Sequence, residues 1–374
     1  MAAPAEILDL AFQRASANLG ISLVADREIG LRVELICRSI SNRVGVRLLM
    51  ACLLAKLDKP EVDIRKPYTQ IGTADSFSGR TYDEQYVAEF VIKHELPCNP
   101  TTAFLTPALR NRNSVLTPDV ELEGRPREVY QATLQLLTDV YENRVSAEDL
   151  LAETVRYLLI VRNETLLRME SLLARLRASR GSTPLSAEAI ITLVEQHLAS
   201  PRASRLPVLV VAAAYRAAEE YLGERVLPME AHTAADRQTH ALGDLQITLA
   251  SDDKVVTCYE MKMKRVTIND IDQALQKILD ARYQIDNYIF ITTDVIVQEV
   301  QDYARTIYER TGGTELVVLD CIGFLRHFLH LFHRLRMQFL DHYQELVLSD
   351  PESGVSQPLK ESFLALRQAA ESAE

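Results

Sequence analysis

The sequence predicts an α/β protein: a mixed sheet flanked by helices, joined to a large, mainly helical N-terminal region. Three observations carry that expectation. Residues 1–200 repeat apolar side chains at i, i+3 and i+4, the period of an amphipathic helix. After about residue 205 this regime gives way to short apolar or alternating runs of strand length. These runs then alternate with helical segments in the order α-β-β-β-α-β-α-β, which requires a sheet with helices on both faces.

The helical segments are 3–18, 28–57, 83–95, 125–142, 146–180 and 186–199. Ser146 with Asp149 gives the fifth a capped start, and Ser186 with Glu188 gives the sixth a weaker one. Two stretches interrupt them. Residues 59–82 are rich in Pro, Gly, Thr and Asp. Residues 96–124 carry prolines 97, 100, 107 and 118, which break regular elements. Irregular stretches of that length inside a compact domain are usually functional. The one linker-like run is 180–186, RGSTPLS. Beyond it, 207–222 reads as a helix opened by a proline. Strands follow at 225–230, 244–249 and 254–262, then a helix at 268–282. A buried strand at 287–292, a helix near 295–310, a strand at 315–319 and a long helix from about 322 complete the pattern. The domain reading is therefore 1–204 for a helical region, 205–348 for the α/β domain, and 349–374 for a partly ordered tail.

Composition narrows the function classes. Of 374 residues, 47% are hydrophobic and 25% charged, which suits a protein with a sizeable core. No apolar run is long enough to cross a bilayer, so no membrane partner is expected. The start, MAAPAEILDL, has no basic segment leading into an apolar one, as an export signal would. Cys37, Cys52, Cys98, Cys258 and Cys321 lie far apart with no CxxC pair, which argues for reduced thiols and a cytoplasmic setting. A net charge of −11 speaks against coating nucleic acid by bulk electrostatics. It leaves room for a local basic patch, and 254–265, KVVTCYEMKMKR, concentrates lysine. No GxxxxGK[ST] phosphate loop is present, which excludes an ATP-driven translocase of that type in this chain.

The chemistry concentrates on two neighbouring strands. Asp244 opens the first, after Gly243, and Glu260 and Lys262 stand near the end of the second. Residues i and i+2 of a strand share a face, so Glu260 and Lys262 project together while Met261 turns into the core. A turn at Ser251-Asp252-Asp253 makes the two strands a hairpin that sets Asp244 beside Glu260. Two converging carboxylates form a hard oxygen site suited to Mg²⁺, which keeps part of its water shell. A metal there acidifies water and stabilises charge on a phosphate. The lysine orients or deprotonates that water. An edge hairpin with solvated charges is the bland alternative. Against it, Val255, Val256, Cys258 and Tyr259 mark a largely buried strand, and burying charge at its end is costly without a metal or a partner.

Residues 207–320 resemble the PD-(D/E)xK, or restriction-endonuclease-like, nuclease core. Gly243-Asp244 stands for its PD element, with glycine in place of proline, and Glu260-Met261-Lys262 for its (D/E)xK element. The chain as a whole resembles the SacI family of type II restriction endonucleases. The resemblance rests on KPYTQIG (66–72), SFSGRTYDEQYV (76–87), LPCNPTTAFLTPALRN (96–111) and YEMKMKRVTINDI (259–271). It implies Mg²⁺-dependent cleavage of double-stranded DNA at a short palindromic site, catalysed through Asp244, Glu260 and Lys262. It also implies a homodimer and functional pairing with a DNA methyltransferase. In related nucleases a glutamate on the helix before the sheet can join the metal, which brings Glu219 and above all Glu220 into view.

Groups able to contact DNA lie outside the catalytic strands. Arg80, Tyr82, Asp83, Asn99, Thr101, Arg110 and Arg112 fall in, or for Asp83 directly beside, the two irregular N-terminal stretches. Asp236, Arg237 and Gln238 fall in the polar loop 231–242, and Lys264 follows the catalytic lysine. Arginine pairs with guanine edges and glutamine with adenine, and all of these side chains suit phosphate or base contacts. Turn chemistry and surface ion pairs are the plain alternatives. Gln273 and Gln276 read better as a polar helix face than as DNA contacts. His327, His330 and His333 have helical spacing without the HExxH pattern and read as packing or surface groups. Two other functions stay open: a repair or defence-complex nuclease with the same core, and a helical interaction protein without catalysis.

Overall fold

A computed structural model describes residues 3–40, 43–99, 102–110, 112–179, 184–229, 242–252, 254–281 and 284–372. The chain forms two compact units, Met1–Arg168 and Met169–Glu374. The division falls inside one helix, whereas the sequence pattern set the change of regime at 204/205.

Among its described residues the first unit contains helices and irregular segments but no strand. Helices α1 (Pro4–Ala17), α2 (Arg27–Arg38), α3 (Val44–Asp58), α4 (Gly79–Tyr82), α5 (Ala88–Lys93), α6 (Arg127–Tyr141) and the first two-thirds of α7 (Ala147–Ser179) build it. A π-helical turn, Asp83–Val87, joins α4 to α5. Val44 to Ala55 of α3 are all buried, as expected for a helix apolar on every side. Gly45 lets Thr133 of α6 come where a Cβ would overlap its hydroxyl. Side chains mark the helix starts: Asp26 accepts from the backbone N–H groups of Glu28 (2.8 Å) and Ile29 (3.4 Å), and Ser146 from that of Asp149 (3.0 Å). The segment 28–57, expected as one helix, is two. The break follows Arg38, where the polar run Ser39-Ile40-Ser41-Asn42-Arg43 ends the apolar period.

The second unit is a five-stranded mixed sheet between two helical layers. The strands are β1 (Glu224–Val226), β2 (Leu245–Leu249), β3 (Val255–Lys262), β4 (Asn287–Thr292) and β5 (Glu315–Asp320), and they lie in chain order across the sheet. β1, β2 and β3 form an antiparallel meander, while β3, β4 and β5 run parallel. Parallel neighbours need a crossover. α10 (Ile268–Asp280) supplies the first, and α11 (Gln298–Arg305) with α12 (Ile307–Thr311) the second. Strand alternation divides the apolar residues between two cores. Leu245, Ile247, Tyr259 and Ile291 pack with α8 (Ala187–Leu198), α9 (Leu206–Leu222), α13 (Cys321–Leu331) and α14 (Arg336–Ser349). Cys258, Tyr288, Phe290, Leu316 and Val318 pack with α10, α11 and α12.

The α/β expectation is therefore met, and the strands fall close to their expected places. The tail is a correction. Residues Gln357–Ser372 form helix α15, with Leu359, Phe363, Leu364 and Arg367 buried on one face. The guanidinium of Arg367 bonds Asp341 (2.7 Å), Gln344 (3.0 Å) and Glu371 (2.8 Å), and the carbonyl of Leu359 meets His197 Nε2 at 3.0 Å. Among the described residues no helix is long and apolar enough to cross a membrane. All five cysteines are free thiols.

Candidate active site

The site lies at the C-terminal end of β3, on the sheet face covered by α10. Antiparallel pairing sets Leu245 of β2 opposite Tyr259 of β3, so Asp244, one residue before β2, comes alongside Glu260 and Met261. Asp244 Oδ2 accepts the backbone N–H of Met261 at 2.7 Å. The preceding Gly243 passes so near β3 that a Cβ there would lie 2.5 Å from the Tyr259 carbonyl oxygen.

Glu260 and Lys262 project together, as strand alternation requires. Lys262 Nζ lies 3.1 Å from Glu260 Oε1 and 3.4 Å from Asp270 Oδ1. Asp270 comes from the first turn of α10. Thr267 and Asp270 form a capping box there: the Thr267 backbone N–H donates to Asp270 Oδ2 at 2.9 Å, and the Thr267 hydroxyl accepts from the Asp270 N–H at 3.4 Å. One Asp270 oxygen is thus held by the helix start while the other faces Lys262. Burial works against its ionised form, but the Thr267 bonds and the Lys262 charge outweigh it and lower the Asp270 pKa. For Lys262, burial pulls the pKa down, and the charges and bonds of Glu260 and Asp270 more than reverse it. Its ammonium form is the one these neighbours favour.

The second oxygen of Glu260 has two further partners. Lys277 Nζ lies 3.2 Å from Oε2, and the Tyr288 hydroxyl donates to it at 3.1 Å. Tyr288 also lies 3.0 Å from the Leu242 carbonyl, which ties the segment before β2 to β4. Burial, then the charges of Glu260 and Asp244, push the Tyr288 hydroxyl well above its ordinary pKa, so it remains a donor.

Sequence reasoning thus named Asp244, Glu260 and Lys262, which stand together, and missed Asp270, Lys277 and Tyr288. A signal for two of them existed. Asp270, Ala274 and Lys277 follow i, i+4, i+7 beside the buried Ile271, Ala274, Leu275 and Ile278, so they share the inward side of α10. Gln273 and Gln276 face solvent, and Gln276 bonds Asp280 at 2.9 Å.

Glu220 is not brought to this cluster. It is exposed near the end of α9, a helix that packs on the opposite face, where the Tyr215 and Tyr259 hydroxyls meet at 3.0 Å. Among the described residues no three His, Cys, Asp or Glu groups gather as a metal would need. Asp244 and Glu260 remain as a two-carboxylate donor set. That set fits Mg²⁺, which binds through one or two carboxylates together with water and phosphate oxygens.

The N-terminal candidates separate by burial. Arg80 is exposed and pairs with Glu84 at 2.8 Å, and Arg110 is exposed. Arg112 is half-buried, its Nε donating to the Ala108 carbonyl at 2.6 Å. Asn99 accepts from the Arg43 backbone N–H at 3.3 Å. Lys264 is exposed beyond β3. Two candidates are corrected. Tyr82 is buried with its hydroxyl on Asp58 at 2.5 Å. Asp83 is wholly buried and bonds Arg47 Nη2 (2.8 Å), the Thr102 hydroxyl and the Ala103 N–H (3.0 Å). Neither is presented for base or phosphate contact, because each fills a packing role first. Thr101, Asp236, Arg237 and Gln238 lie outside the described residues. His330 is a surface group 3.2 Å from Glu188.

No protein-family model matches this sequence, and no curated protein matches it at a significant level.

Proposed function

We propose that this chain is a divalent-metal-dependent deoxyribonuclease with a PD-(D/E)xK core, acting as a type II restriction endonuclease on double-stranded DNA. The observation that carries the reading is the grouping of Asp244, Glu260 and Lys262 at one end of the β2–β3 pair. Asp270 and the crossover helix α10 support that grouping. On this reading Asp244 and Glu260 hold the metal. A Mg²⁺ ion held there would acidify a water and stabilise charge on the scissile phosphate. Asp244 is steadied by the Met261 N–H, and Glu260 by the Tyr288 hydroxyl. Lys262, pinned between Glu260 and Asp270, presents an ammonium that orients the attacking water and meets the phosphate. Phosphate and base contacts fall to Arg80, Arg110, Arg112 and Lys264 and to the polar sequence 231–242 that contains Arg237. A palindromic site read by a homodimer, and protection of host DNA by a paired methyltransferase, belong to the same proposal.

The test is digestion of a plasmid of known sequence with Mg²⁺. Discrete fragments are expected, with none in excess EDTA. Asp244→Ala and Lys262→Ala should each abolish cleavage while leaving DNA binding largely intact. A smear instead of bands would favour a repair or defence nuclease with the same core. Cleavage by pure Asp244→Ala at the parent's rate would remove the assignment and leave the cluster as a structural ion-pair network.

A further inference from the structure

Lys262 already gives Glu260 a cationic partner at Oε1 and also meets Asp270. Yet Lys277 reaches across from α10 to the other oxygen of the same carboxylate. The pair is mostly enclosed: the side chains of Glu260 and Lys277 are 15% and 27% exposed. A metal bound by Glu260 through Oε2 has to take the place where the Lys277 ammonium now stands, or share it at close range against like charge. Lys277 has a flexible four-carbon stem and can withdraw, whereas Tyr288 is packed in the core and cannot.

We infer, building on the nuclease reading above, that Lys277 is a positioning residue that competes with the divalent cation for Glu260. Lys277 holds the carboxylate in place without metal and sets how much free cation the site requires. The metal must displace it, so the affinity of the site is lower than its two carboxylates alone would give. Once displaced, the ammonium stays beside the site as a positive group near the phosphate.

The experiment is calorimetric titration of the full chain with Mn²⁺ alone, without DNA, on the parent and three variants: Lys277→Met, Lys277→Arg and Glu260→Gln. Circular dichroism and thermal melting establish that each is folded. Removing a unit charge a few ångströms from the metal should tighten Mn²⁺ binding in Lys277→Met by about tenfold or more. Lys277→Arg should bind as the parent does, and Glu260→Gln should lose binding. In cleavage assays the half-saturating Mg²⁺ concentration of Lys277→Met should fall. A merely structural lysine would instead lower the rate at every metal concentration. If Lys277→Met binds Mn²⁺ no tighter than the parent while Glu260→Gln loses it, the competition is refuted and the nuclease reading stands. If Glu260→Gln binds Mn²⁺ as the parent does, the metal is elsewhere, and the reading fails together with the inference.

Discussion

Replacing Asp83 by alanine is expected to damage the fold of the N-terminal unit rather than a DNA contact. The Asp83 carboxylate is fully buried and accepts from Arg47, from the Thr102 hydroxyl and from the Ala103 N–H. Arg47 itself is 1% exposed in the first turn of the apolar helix α3, and it also donates to the Asn99 carbonyl at 2.7 Å. Truncating Asp83 therefore strands a guanidinium charge in the core. Breaking one partner of such a pair costs about 3–5 kcal/mol. At about 2–4 °C per kcal/mol for a unit of this size, the melting temperature should drop by roughly 6–20 °C. Differential scanning calorimetry of the full chain measures the drop, and urea titration gives the free energy independently. Asp83→Asn, which keeps the shape and some hydrogen bonds, should fall between parent and alanine. If Asp83→Ala melts within about 1 kcal/mol of the parent yet binds DNA poorly, the structural account is refuted and the contact reading returns.

Three further outcomes are expected. Thr267→Ala removes the hydroxyl that starts α10 and should cost about 1 kcal/mol, with a larger loss of cleavage than of stability because Asp270 then swings away from Lys262. His197 is enclosed beside Tyr343 and the Leu359 carbonyl, and burial lowers its pKa from 6.5 to about 4. The unfolded chain then binds the extra proton between those values, so this contribution is complete above pH 6.5 and is lost as pH falls towards 4. It is worth about 3 kcal/mol at most, and His197→Gln should flatten that part of the stability profile measured by urea titration. Alanine variants of Arg80, Arg110, Arg112 and Arg237, compared on cognate and single-mismatch duplexes, should separate two kinds of contact. Loss of a base contact costs about 1–3 kcal/mol and relaxes one position. Loss of a phosphate contact weakens all sequences and reduces the salt slope by about 0.9. Unchanged binding by all four would move recognition into other segments.

The parts of the fold that could be read from sequence are those set by local periodicity. The pairing of Glu260 with Lys262 followed from strand alternation, and α10 followed from its apolar stripe behind Thr267. The spacing on α10 puts Lys277 on the inward side, but neither its contact with Glu260 nor that of Tyr288 could be read this way. They reach Glu260 from elements 17 and 28 positions away, and only the parallel register of β3 and β4 brings Tyr288 there. Asp83 looked like a loop acid because its neighbours are polar. The contrary signal was Arg47, the one charge in the apolar run 44–55, which must have a buried partner. Helix 357–372 is masked in the sequence by Pro351 and Gly354, which interrupt the pattern just before it, although Leu359, Phe363 and Leu364 keep the helical spacing.

The tight passage of Gly243 against the Tyr259 carbonyl bears on how this chain can be engineered. On the proposed nuclease reading, the PD-(D/E)xK pattern invites the substitution Gly243→Pro, which would put the motif's usual first residue in that place. At this position the pattern and the packing disagree. A side chain of any kind must push the Tyr259 carbonyl away, and Tyr259 is bonded in sequence to Glu260. The strain would pass along one peptide unit into the carboxylate that the site depends on. Gly243 is thus fixed by packing: β3 runs against a bare backbone there, and no side chain fits unless that backbone moves. A library meant to improve this protein by motif averaging should hold position 243 fixed, because the obstacle is backbone and no side-chain change opposite removes it.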